Sequence, residues 1–226
     1  MSLTLAADPT RSLRATASAR PASARELREA ARREPSPDLT EKELLDTALY
    51  GAVASGVGIS YPTIFAHEAG HATAALALYR DPKPSISVKP FQGGVMRWRP
   101  SPLTALGEKL GPVNSRALVA GAGTLVDATS SAIAFAVGYR MRHEHPIMGP
   151  ALMGYAGFTM LNSAIYAAGA VPAAFTGGLP ALARTGHDFA SLATTVGLHP
   201  VASVAILAAL LPAEYLLLRQ LEKHGI

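Results

Sequence analysis

Cysteine is absent from this chain of 226 residues. That excludes disulfides, thiolate metal ligands and a cysteine nucleophile, so any metal ion must be held by His, Asp or Glu. Charge is scarce too: 16% of residues are Asp, Glu, Lys or Arg, and most of these lie before Thr47, in two short connectors and at the end of the chain. The formal net charge of +4 therefore belongs to a tail and loops, and it suits an anionic membrane face better than nucleic acid. No groove-reading or base-stacking motif is present, so no nucleic-acid partner is expected. Between Met1 and Leu44 there is no sustained apolar stretch of the kind a secretory signal needs, and Asp8, Glu26, Glu29 and Glu34 count against an organelle transit peptide.

What the chain has instead is apolar sequence, with a mean hydropathy of +0.22 and 49% hydrophobic residues. Residues 1–43 are rich in Ala, Arg, Ser and Pro and are expected to form a disordered basic arm, with Ala24 to Glu34 having the makings of a short helix. Residues 44–226 are expected to form a membrane-embedded domain. The expected fold class is an all-α membrane protein, a bundle of about five or six transmembrane or re-entrant helices with one short β-hairpin. The run from Leu44 to Tyr79 is too long for one span of about 20 residues, and Ser60-Tyr61-Pro62 divides it, because proline suits a first helical turn and disrupts a helix interior. Its first half carries Gly51, Ala52, Ser55 and Gly56 in a spacing that lets a neighbouring backbone approach closely.

The second half, YPTIFAHEAGHATAALALY, holds an H-E-x-x-H motif. On a helix, residues four apart share a face, so His67 and His71 can present both imidazoles to one metal ion. Glu68 lies beside that face, where it can take a proton from a water activated by the metal. Three ionisable groups within an apolar helix are expensive unless they share a task.

Downstream, Ser85 to Pro100 alternates and breaks at Gly93 and Gly94, as a hairpin would. Two readings apply to it: a strand edge offered to an unwound substrate, or a connector whose Arg97, Trp98 and Arg99 sit at the headgroups. Asn114 and Ser115 are candidate caps for a helix reaching Tyr139, with Asp127 near its middle, read as a polar contact to Thr129, Ser130 and Ser131 or else as part of the site. Ile147 to Phe175 is a further apolar run, broken by Pro172, with Asn162 its one strongly polar member. Two motif histidines need a third protein ligand if one position is left for water. Asp188 is the chosen candidate, while His187 could take that place or hydrogen-bond a developing oxyanion. His143, His145 and His199 read as solvated or interfacial, and Pro200 and Pro212 are expected to divide and kink the last segment.

HEAGH on an apolar helix, a later Gly-Gly hairpin, an asparagine in a membrane helix and the Gly186-His187-Asp188 stretch together resemble the site-2 protease family of intramembrane zinc metallopeptidases. The resemblance covers about Pro62 to Ala190, with no room for an inserted PDZ domain. It implies one Zn2+ per chain held by His67, His71 and Asp188, with Glu68 as catalytic base and Asn162 steadying the substrate or oxyanion. The implied substrate is a membrane protein with a transmembrane helix, and the implied setting is the lipid bilayer. The chain departs from the family pattern in that Asp188 is followed by Phe189 and stands far from Asn162.

Two other functions fit the same residues: a non-proteolytic scaffold of this fold, against which the intact Glu68 argues, and a transporter subunit whose buried acids and histidines relay protons. The arginines of the arm and of the connector from Arg80 to Arg116 are expected to lie on one cytoplasmic side of a multi-pass protein, with two helices between them.

Overall fold

A computed structural model describes residues 36–225, so the expected arm falls largely outside the described residues. The protein is mostly helical, with a single two-stranded hairpin among the described residues. The first helix, α1, spans Glu41–Ser60. It starts earlier than the expected Leu44 because Thr40 and Glu43 form a capping box: the Thr40 hydroxyl accepts from Glu43 N at 3.2 Å, and the Glu43 carboxylate accepts from Thr40 N at 2.8 Å. Pro62 opens α2, Pro62–Leu78, as the sequence predicts.

The angle between α1 and α2 is 58°. Two consecutive full spans would reverse the chain, so this pair is a broken span or a re-entrant loop.

Strands β1, Ser85–Lys89, and β2, Gly93–Arg97, pair antiparallel, with Ser85 opposite Arg97 and Val88 opposite Gly94. The turn lies at residues 90–92, one step before the glycines expected to make it, and Gly93 enters β2 at φ +124°. A short α3, Ala105–Leu110, leads to α4, Pro112–Met141. Here Asn114 and Ser115 are not the cap. Gly111 holds that position at φ +82°, Pro112 is the first helical residue, and the two side chains instead bond back to the Leu110 and Gly107 carbonyls at 2.9 and 3.2 Å.

Helix α5, Met148–Ala168, breaks at Gly169–Ala170, before Pro172 rather than at it, and two short helices follow, α6 (Val171–Thr176) and α7 (Leu179–Arg184). Asp188 opens α8, Asp188–Val196, and the chain ends on α9, Pro200–Lys223, which begins at Pro200 as expected and runs on through Pro212.

Three stretches, Pro112–Met141, Met148–Thr176 and Pro200–Lys223, are long and apolar enough to cross a membrane, and the bent α1–α2 pair makes a fourth if it is one broken span. About five or six transmembrane or re-entrant helices are expected; three or four of the described stretches have the length and apolarity to cross a membrane, and α6, α7 and α8 are too short to do so. At most a third of each apolar window is buried against the rest of the chain, the values being 22, 33 and 17%. So much outward apolar surface suggests a multi-pass membrane protein.

Two apolar clusters hold the helices together. Phe135, Met153, Met160, Phe189, Leu207 and Leu211 join α4, α5, α8 and α9, while Ala75, Leu78, Tyr79 and Val119 pack under Trp98 and Leu103 beside the hairpin. Between α1 and α5, Gly51 meets Gly154 so closely that a Cβ on either would strike the other's backbone. The small-residue spacing of α1 thus does what its sequence suggests, at Gly51 and the buried Ser55, whereas nothing approaches Gly56.

Candidate metal centre

Helix α2 crosses α4 where Gly70 faces the Ala122 carbonyl, and that crossing brings both histidines against the neighbouring Gly123. His71 is buried, and its Nδ1 lies 2.6 Å from the Val119 carbonyl oxygen. A carbonyl can only accept, so Nδ1 carries the proton and donates, which leaves the Nε2 lone pair free. The same logic holds for His67, whose Nδ1 stands 2.7 Å from Asp127 Oδ2. The carboxylate also accepts from Ser163 Oγ at 3.3 Å.

Asp127 therefore belongs to the site and not to a local polar contact; Ser130 bonds the Asp127 backbone carbonyl instead, at 3.1 Å. Metal-binding histidines almost always hand their second ring nitrogen to a carboxylate or carbonyl in this way, which sets the tautomer and the ring orientation.

The two Nε2 atoms converge at 3.1 Å, and Asp188 Oδ2 lies 3.4 Å from each. With both rings in that tautomer, three acceptors face one point, an arrangement that a cation relieves. Ligand atoms about 2.1 Å from a shared tetrahedral centre stand about 3.4 Å apart, so the three separations fit one ion. The floor of the site is Gly123, where an added Cβ would press on the Nε2 atoms of both histidines, 2.6 Å from that of His67. His67, His71 and Asp188 could hold a metal ion, and they form the only such His/Cys/Asp/Glu group among the described residues.

Asp188 comes to the histidines because Gly186, at φ +91°, turns the chain just before α8 begins. Its backbone N–H donates to the Tyr166 hydroxyl at 3.3 Å. His187 does not join the cluster; its ring stacks on Tyr166 with centroids 4.3 Å apart and planes 18° apart. Of the two candidates for the third position, Asp188 is the one that arrives.

Glu68 is buried and faces β2: a Cβ on Gly94 would lie 2.7 Å from Glu68 Cγ and 2.8 Å from its Oε1, so the strand can cover the carboxylate only because Gly94 has no side chain. All four residues line one cavity of about 1240 Å³, and Asn162 and Tyr166, a turn apart on α5, form part of its wall. Asn162 is exposed there.

Comparison with family models, characterised proteins and solved structures finds no match to this chain. The arrangement is therefore read from its own chemistry.

Asp127, Gly123 and Tyr166 are the residues that sequence reasoning undervalued or missed. Asp127 carried a signal, an acid deep in an apolar helix. Gly123 and Tyr166 carried none, because their importance comes from which helix crosses which.

Proposed function

We propose that this chain is a zinc-dependent intramembrane endopeptidase similar to the site-2 proteases, acting on membrane proteins with a transmembrane helix. The observation that carries this reading is the meeting of His67 Nε2, His71 Nε2 and Asp188 Oδ2 at separations of 3.1 to 3.4 Å, in one cavity with Glu68, in a chain of outward-facing apolar helices. Two imidazoles and a carboxylate are a donor set that suits zinc and leaves a fourth position open. Zinc held there supplies a Lewis acid that polarises a scissile carbonyl and makes water acidic near neutral pH.

The remaining steps belong to the chain's own residues. Asp127 and the Val119 carbonyl keep both imidazoles in the tautomer that offers Nε2. Glu68 accepts a proton from the attacking water and delivers it to the leaving amine nitrogen, so that one water is consumed for each peptide bond broken. Asn162 offers an amide donor from the cavity wall. A helical substrate hides its amides in its own hydrogen bonds and must be unwound first. The β2 edge beside Glu68 is well placed to receive the extended segment by backbone pairing.

Zinc analysis of the purified protein, paired with cleavage of a panel of single-span substrates, tests the reading. Wild type should hold one zinc ion per chain, His67→Ala none. Glu68→Gln should keep the metal and lose about 10²- to 10⁴-fold in cleavage rate. A folded wild-type protein that takes up no zinc would overturn the proposal.

A further inference from the structure

The Tyr166 hydroxyl, on the cavity wall, touches the backbone of a proposed metal ligand. Its oxygen accepts the Asp188 N–H at 3.3 Å. Two contacts hold the ring: it stacks on His187 at 4.3 Å and meets Phe189 edge-on at 5.6 Å; it also lines the same cavity as Glu68. A phenol has one hydrogen to give as well as lone pairs to receive. With a lone pair committed to Asp188 and no acceptor for its own hydrogen among the described residues, the hydroxyl can turn that hydrogen into the cavity.

Resting on the hydrolytic reading above, we infer that Tyr166 is a further catalytic residue, whose O–H donates to the substrate carbonyl oxygen as that oxygen gains negative charge. When water adds to the carbonyl, a carbon–oxygen bond forms and the C=O π pair moves onto oxygen. Tyr166 stabilises that charge by a hydrogen bond without transferring its proton, and Glu68 alone carries the proton from water to the leaving nitrogen. A donor held in place in advance needs no reorganisation as the charge develops. Rigidity is what the contacts with His187, Phe189 and Asp188 N provide. Asn162, one helical turn earlier, can serve as a second donor from the same wall.

The test is Tyr166→Phe, which removes one oxygen and keeps the ring stack. The substrate is whichever single-span peptide the wild type cleaves fastest in detergent micelles. The expected result is a fall in kcat of about 10²- to 10³-fold, with KM within about twofold and zinc content unchanged. A phosphinic peptide analogue, which mimics the tetrahedral species, should lose affinity by a comparable factor, while an uncleavable ground-state analogue should bind as before. Loss of zinc from Tyr166→Phe would mean that the tyrosine only supports Asp188, and would overturn the inference; so would wild-type kcat, or a change confined to KM.

Should the phenylalanine variant fail to fold, fluorotyrosine at position 166 decides the matter. At one near-neutral pH, where the phenol stays protonated, a more acidic phenol is the stronger hydrogen-bond donor and should raise kcat with zinc content unchanged; an unchanged kcat would overturn the inference. A wild type that holds zinc and cleaves nothing sinks the proposed reaction together with this inference. An active wild type beside an equally active Tyr166→Phe sinks this inference alone.

Discussion

Both histidine rings can lie against α4 only because residue 123 has no side chain; a Cβ there would crowd the two Nε2 atoms that face the proposed ion. Gly123→Ala should therefore abolish or severely weaken metal binding while both histidines and Asp188 remain. The check is zinc per chain by elemental analysis, alongside a circular dichroism spectrum that should keep its helical content. Full zinc occupancy in that variant would mean that the rings move aside at little expense, and the tight floor would not matter. Asp127→Asn is a gentler probe, expected to lower metal affinity about 10- to 100-fold by loosening the hold on His67. At this scale the sequence was legible wherever information is local. His67, Glu68 and His71 announce themselves because four residues make one helical turn, and that turn is all the geometry the pair requires. Gly123 and Tyr166 could not be read, since a glycine in an apolar helix and a tyrosine near a helix end have many ordinary reasons to be there.

Single elements are joined by devices that the sequence shows only in part. Beyond the C-terminus of α4, Arg142 has 1% of its side chain exposed, pairs with Glu222 of α9 at 3.0 Å, and stands 3.7 Å from Glu43 of α1. Its guanidinium also lies over the Tyr139 ring, 3.8 Å from the centroid. This clasp ties three helices at one end of the bundle. Removing one partner of a fully buried pair costs about 3–5 kcal/mol, which is an upper limit here because Glu222 is 32% exposed. Arg142→Ala should lower the melting temperature in detergent and leave zinc content intact, and an unchanged melting temperature would show the clasp to be decorative. In the sequence, nothing about Arg142 sets it apart from the charged residues around it. The hairpin was legible in kind but not in register, because glycine marks tight turns and close approaches alike, and Gly94 serves the second purpose. The start of α4 was misread for a similar reason: Asn114 and Ser115 are good caps in isolation, yet Pro112 already fits the first helical position and its φ draws the start forward.

Over the whole molecule, a metal ion held at this site would be linked to the fold. The three ligands come from α2 and α8, more than a hundred residues apart in the chain, so an ion that binds the folded site holds the bundle closed. Metal at about 1,000 times its Kd adds about 4 kcal/mol to stability by mass action. Stripping the wild type with a chelator should therefore lower its melting temperature, and His67→Ala should show no further fall on the same treatment. An equal shift in both would point to some other action of the chelator. The large-scale outline, apolar helices with a short hairpin, follows from hydropathy alone. The number of membrane-crossing helices does not, because run length cannot tell a reversal from a 58° bend. One feature bears on redesign. A position already reduced to a hydrogen atom offers nothing more to trim, so the cleft above Gly123 can be narrowed by substitution and never widened from below. Space for a larger ion, or for an added protein donor, would have to be found across the cleft, where Gly186 bends the chain toward Asp188 and a shift of the loop could move the carboxylate outward.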